Sequence, residues 1–126
     1  MKTAAHYMEA ANATVPRIPG GDAIPAHADG SGIFIDVRDS ASIAQTGTIK
    51  GAAHIPRGML EFKADPAMEA MFDPVFKDKD AALYLVCGAG GQAALAGKTL
   101  QDMGFTNVTN IGGIGEWKDA GGAMES

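Results

Sequence analysis

Residues 81–91 constrain this chain more than any other stretch. An apolar run, Ala81-Ala82-Leu83-Tyr84-Leu85-Val86, meets Cys87 and then Gly88-Ala89-Gly90-Gly91 with no polar spacer. An unbroken apolar run this short fits a strand buried on both faces, the condition of a parallel sheet. The small residues after it permit a tight turn. Residues 92–103 then carry Ala93, Ala96, Leu100 and Met103 on one helical face, and Gly104 suits the helix end, with Phe105 packing back on the last turn. A buried strand passing through a tight loop into a helix is the repeating unit of an α/β fold.

The rest of the chain extends that unit. Ala4, Met8, Ala11 and Val15 form one apolar stripe, so residues 3–15 read as a helix capped by Thr3 and stopped by Pro16. The Pro- and Gly-rich stretch 16–32 reads as a connector with one short helical turn near residues 21–24. Ile33-Phe34-Ile35 is a second buried strand, ending in Asp36-Val37-Arg38. A short helix over 39–45, a glycine-bounded loop over 47–51 and a short strand over 52–55 follow. Residues 58–72 carry Met59, Leu60, Phe62, Met68 and Met71 and read as one or two core-facing helices broken at Pro66. Residues 108–111 form a last strand and 116–120 a last helix. The alternation predicts an α/β fold with a mostly parallel central sheet and helices on both faces. It divides the chain into a helix and connector, residues 1–31, and a domain, residues 32–122.

Charge and cysteine count remove several function classes. At 126 residues one domain is the default, and a formal net charge of −5 leaves no basic surplus for phosphate contacts. Neither a nucleic acid nor a membrane is expected as a partner. One cysteine cannot form an intramolecular disulfide or a multi-cysteine zinc site, and three histidines without ligand spacing add no metal site. No cofactor is called for. His6, Glu9 and Asn12 interrupt any signal-like apolar region, and a cytoplasmic location, where a lone thiol stays reduced, is the expectation.

The chemistry concentrates at Cys87. In a parallel α/β sheet ligands bind beyond the carboxyl ends of the strands, where this residue stands. The backbone N–H groups of Gly88, Ala89, Gly90, Gly91 and Gln92 are placed to form an anion-binding nest, and the helix that follows adds partial positive charge. Both favour a thiolate and would cradle a sulfur anion at its tip. The loop is no Walker motif, because no Gly-Lys-Ser/Thr ends it. A lone cysteine at a strand end is also an ordinary small core residue.

Four motifs in order resemble the rhodanese family. They are Asp36-Val37-Arg38, the segment Gly47-Thr48-Ile49-Lys50-Gly51-Ala52-Ala53-His54-Ile55-Pro56, Cys87 after a strand, and Gly112-Gly113-Ile114-Gly115-Glu116-Trp117. Arg57-Gly58-Met59-Leu60-Glu61-Phe62 is similar to a stretch of some bacterial single-domain members. The resemblance implies a rhodanese-like three-layer fold and a sulfurtransferase or persulfide carrier. Cys87 would be the nucleophile, taking sulfur from a donor such as thiosulfate and passing it to a thiophilic acceptor, either a small thiol or anion or a partner protein.

One departure bears on activity. Family loops commonly run Cys-x-x-Gly-x-Arg; here Gly90 matches but Gln92 stands in the arginine position. A charge-assisted hydrogen bond contributes roughly 1.5–3 kcal/mol against about 1 for a neutral one, so anion handling would weaken about tenfold or more. The alternative is therefore a rhodanese-fold binding or regulatory module with little or no turnover. Phosphatase members of the fold use a loop one residue longer and need its arginine; neither Gln92 nor Ala93 supplies one, and phosphatase action is not expected.

Asp36, Arg38 and Arg57 are candidate pocket residues. Asp36 either orients a loop or hydrogen-bonds backbone, the more usual role. Arg38 and Arg57 either lend the loop positive charge or pair with carboxylates, again the more usual role. His54 reads as a rim or core histidine and Trp117 as an anchor for the last helix.

Overall fold

A computed structural model describes all 126 residues. Helix α1 spans Ala4–Thr14 and is capped by the Thr3 hydroxyl, which accepts from the His6 N–H. After a 3-10 turn at Gly20–Ala23 come α2 (Ile24–Ala28), β1 (Ile33–Asp36), α3 (Ser40–Thr46), β2 (Thr48–Ile49) and β3 (Ala53–His54). Then follow α4 (Leu60–Ala64), β4 (Leu83–Cys87), α5 (Gly91–Asp102), β5 (Val108–Gly113), α6 (Ile114–Asp119) and β6 (Met124–Glu125).

The central sheet has the order β3-β1-β4-β5, all parallel. Its strands are apolar on both faces, and successive side chains divide between two cores. Ile35, Leu83, Leu85 and Cys87 face one side, packed under α4 and α5 with Leu60, Ala93, Ala96 and Leu100. Phe34, Val86 and Ile111 face the other, under α2 and α6 with Ala23, Ile114 and Trp117. Trp117 is the anchor of that second core: its indole N–H donates to the Ala123 carbonyl, and Phe34 and His27 pack against its ring. Helix α5 ends as its sequence implies. Gly104 adopts φ +98°, its N–H donates to the Gln101 carbonyl, and the Phe105 N–H reaches back to Leu100.

Three features depart from what the local pattern shows. First, residues 47–51 are not only a loop. Thr48 and Ile49 form β2, which pairs antiparallel with β6 at the chain's end, a partner 75 or more residues away that no local pattern announces. Second, residues 1–31 and the segment past residue 122 are in contact with residues 32–122. Arg17 bridges Asn110 as a parallel extension beyond β5, α1 packs on α5, and β6 lies past residue 122. Third, residues 58–72 are less buried than their composition suggests. Helix α4 has only five residues, so Leu60 and Ala64 reach the core while Phe62 and Met68 stay exposed.

Candidate functional site

Cys87 closes β4 and is only 1% exposed. Its Sγ accepts two backbone N–H groups, from Gly90 at 3.0 Å and from Ala93 at 3.3 Å. The chain curls around the sulfur because Gly90 takes φ +98°, a left-handed conformation that side chains resist. That turn sets Gly90 as the residue before α5, so the sulfur lies against the positive end of a 12-residue helix. Gly88 and Ala89 form the exposed rim of the loop, and neither N–H has a partner within the protein. The cradle therefore differs in detail from the expected set. Gly90 contributes a donor to Sγ, Ala93 contributes one from beyond the expected residues, and the Gly88 and Ala89 donors stay open at the rim.

Strand β5 holds the loop in place. Between Leu85 and Cys87 the pairing with β5 slips by one residue, a bulge centred on Ile111 and Gly112. The buried Asn110 side chain spans it. Its Nδ2 donates to the Gly90 carbonyl at 2.9 Å, and its Oδ1 accepts the Gly112 N–H at 2.8 Å. Gly112 needs φ +82°, and a Cβ on Gly113 would collide with the Gly88 carbonyl. The Gly112-Gly113 pair is thus explained by its contact with the cysteine loop.

Asp36 and Arg38 do not line a pocket. Arg38 Nε and Nη2 grip the Asp36 carboxylate in a bidentate pair, Nη2 to Oδ2 at 2.7 Å, with side chains 5% and 0% exposed. The remaining valences go to the Thr46 hydroxyl, the Gly47 carbonyl and the Thr48 hydroxyl. All three nitrogens of this guanidinium donate inside the fold, where they tie β1 to the α3–β2 turn, and four of its five N–H groups are engaged there. His54 is an exposed rim residue whose Nε2–H donates to the Arg38 carbonyl at 2.7 Å. Arg57 pairs with Glu61 at 3.0 Å and donates to the Thr99 hydroxyl. It borders a cavity of about 670 Å³ between α1 and α5, also lined by Tyr7, Met8, Leu95 and Lys98. Gln92 is exposed, and its carboxamide makes no hydrogen bond within the protein.

Arg17 was missed by sequence reasoning, and it stands at the loop. It lies in the stretch read as a connector, between Pro16 and Ile18, where no periodicity marks it. The structure carries it along the outer edge of β5, and Nη2 reaches the Ala89 carbonyl at 3.3 Å and Glu116 Oε2 at 3.4 Å. The one available signal was Pro16 beside two β-branched residues, Val15 and Ile18, a composition that an edge strand tolerates.

A family model described as the rhodanese-like domain matches residues 22–120. The chain belongs to the rhodanese-like family. Among solved structures, it is 36% identical to a Rhodopseudomonas palustris CGA009 protein of unknown function, described as a possible tyrosine phosphatase, with a TM-score of 0.91 over 99% of this chain and 96% of that one. The polysulfide-sulfur transferase homodimer of Wolinella succinogenes is 29% identical, with a TM-score of 0.71 over 94% and 83%. The human single-domain sulfurtransferase TSTD1 is 25% identical, with the same TM-score of 0.71 over 83% and 96%. In sequence, the chain is 34% identical over 88 residues to the adenylyltransferase and sulfurtransferase UBA4 of Candida albicans; the match covers 69% of this chain but only 19% of that much longer protein. No helix of this rhodanese-like chain is long and apolar enough to cross a membrane.

Proposed function

We propose that this rhodanese-like protein moves sulfane sulfur through a persulfide on Cys87. The observation that carries the reading is the pair of backbone donors, Gly90 and Ala93, aimed at Sγ at the head of α5. Donors fixed in the backbone stabilise charge on sulfur without reorganising, in the manner of an oxyanion hole. The sulfurtransferase relatives support the same chemistry at family level.

The steps balance with two reactants. The Cys87 thiolate attacks the outer sulfur of thiosulfate; a new S–S bond forms, the S–S bond of the donor breaks, and its electron pair leaves with sulfite. The terminal persulfide sulfur is then attacked by a nucleophile such as cyanide or a thiolate. Its bond to Sγ breaks, thiocyanate or a new persulfide departs, and the thiolate returns. Cys87 itself is nearly fully buried, and the open Gly88 and Ala89 donors stand at the exposed rim of its loop, where an outer sulfur would project.

A second reading, a binding or regulatory module without efficient turnover, is favoured by Gln92, which leaves the loop itself without an arginine. Phosphate hydrolysis, suggested by one relative's description, lacks that same arginine here. The deciding experiment is incubation with thiosulfate followed by intact mass, with Cys87→Ser as control, and then thiocyanate formation from cyanide. One added sulfur on the wild type alone supports sulfur transfer; no adduct with thiosulfate, polysulfide or an organic trisulfide overturns it.

A further inference from the structure

The loop over residues 87–92 contains no cation, yet a guanidinium lies against it. A Cβ built on Gly90 would fall 2.7 Å from Arg17 Cζ and 2.8 Å from its Nη2, so Arg17 occupies the space that a side chain at position 90 would take. Gly90 is also the residue whose N–H donates to Cys87 Sγ at 3.0 Å. One residue of backbone therefore separates the cation from the sulfur.

Arg17 is held loosely. Only Nη2 is engaged, at 3.3 Å to the Ala89 carbonyl and 3.4 Å to Glu116, and the two charged side chains are each 47% exposed. A guanidinium carries five N–H donors, so those on Nη1 and Nε have no partner in the protein. Glu116 is anchored independently, because its Oε2 also accepts the Gly113 N–H at 3.1 Å. It can keep that bond while Arg17 turns to another anion.

We propose that Arg17 is the anion-binding cation of the Cys87 loop, with Glu116 as the counter-ion that it relinquishes when an anionic sulfur donor arrives. The inference rests on the reading of Cys87 as a sulfur acceptor and adds the class of donor, a small oxyanion carrying sulfane sulfur. The cation comes from the strand-like segment beside β5, and Gly90, with no side chain, leaves room for it. A donor anion at the Gly88–Ala89 rim then meets open backbone N–H groups together with the free face of the guanidinium.

The test separates anion binding from turnover. Thiosulfate is titrated into Cys87→Ser protein, which cannot form the persulfide, and the amide shifts of Gly88 to Gln92 are followed by NMR. Adding Arg17→Gln is expected to weaken binding about tenfold, Arg17→Lys to restore most of it, and Glu116→Gln to tighten it. Unchanged affinity in Arg17→Gln, or no thiosulfate-dependent shifts in the loop at all, overturns the proposal. In protein with Cys87 intact, Arg17→Gln should raise KM for thiosulfate by a larger factor than KM for a neutral organic trisulfide. An equal loss on both donors would mean that Arg17 only shapes the loop, and would also overturn it. If the wild type accepts sulfur from no donor while thiosulfate binding still depends on Arg17, the sulfur-transfer reading falls and the anion site stands.

Discussion

Two arginine–carboxylate pairs flank the sheet of this molecule, and they are built in opposite ways. Arg38 and Asp36 are buried and bidentate, with Nη2 to Oδ2 at 2.7 Å and every guanidinium nitrogen engaged. Arg17 and Glu116 touch through one atom pair at 3.4 Å and are half exposed. A buried pair is costly to break because the survivor is left charged and unsolvated, whereas an exposed one contributes little to stability. The arginine in the conspicuous Asp-Val-Arg motif belongs to the architecture, and the inconspicuous one in a Pro-rich stretch leaves Nε and Nη1 unengaged beside the cysteine loop.

The harshest way to break the comparison is Arg38→Ala. Removing one partner of a buried pair costs about 3–5 kcal/mol, so the urea midpoint should fall sharply or the protein should fail to fold. A loss below about 1 kcal/mol would erase the distinction between the pairs. Asn110→Ala comes next, because it strands the Gly112 N–H and leaves the Gly90 carbonyl with the Ala94 N–H alone. A destabilisation of about 1–3 kcal/mol is expected, together with slower sulfur uptake by Cys87 in a mass-resolved time course. Gln92→Arg sharpens the functional side. Thiocyanate formation from thiosulfate should rise by up to about tenfold, and an unchanged rate would show that position 92 is not what limits anion handling. Arg17→Gln should leave the urea midpoint within about 1 kcal/mol of the wild type, as befits an exposed pair.

The smallest effect concerns acid. Asp39 caps α3 by accepting the Ser42 N–H, and the backbone and hydroxyl of Ser42 hold its carboxyl below the ordinary value of 3.8. A lowered folded value means that this contribution is present above 3.8 and fades as pH falls through the lowered value. Asp39→Asn keeps a capping oxygen that does not titrate. Its stability gap to the wild type should therefore narrow in acid melts below pH 3.8, and a gap constant with pH would contradict the role given to the charge.

Much of this was legible because its causes are local. The run before Cys87 had to be a doubly buried strand, the glycines after it had to form a tight turn, and Gly104 with Phe105 had to end α5. Thr3 and Pro16 bounded α1 for the same reason. The partners of Asp36 and Arg38 were not legible because they are not local: Thr46, Gly47 and Thr48 close around the guanidinium only once β1 and the α3–β2 turn are packed together. Phe62 and Met68 were misjudged because five residues of helix cannot present a long apolar face to the core.

The α/β alternation, the position of Cys87 at a strand end and the small-residue loop around it are written in the amino-acid order, since each follows from burial patterns and backbone freedom within a few residues. Which groups face the sulfur from afar depends instead on packing. Asn110 and the Gly112–Gly113 bulge brace the loop from β5, β6 returns to pair with β2, and Arg17 reaches the space that Gly90 leaves open. Those partners are separated along the chain by tens of residues. No periodicity encodes such a meeting, which exists only after the sheet has assembled and excluded water around it.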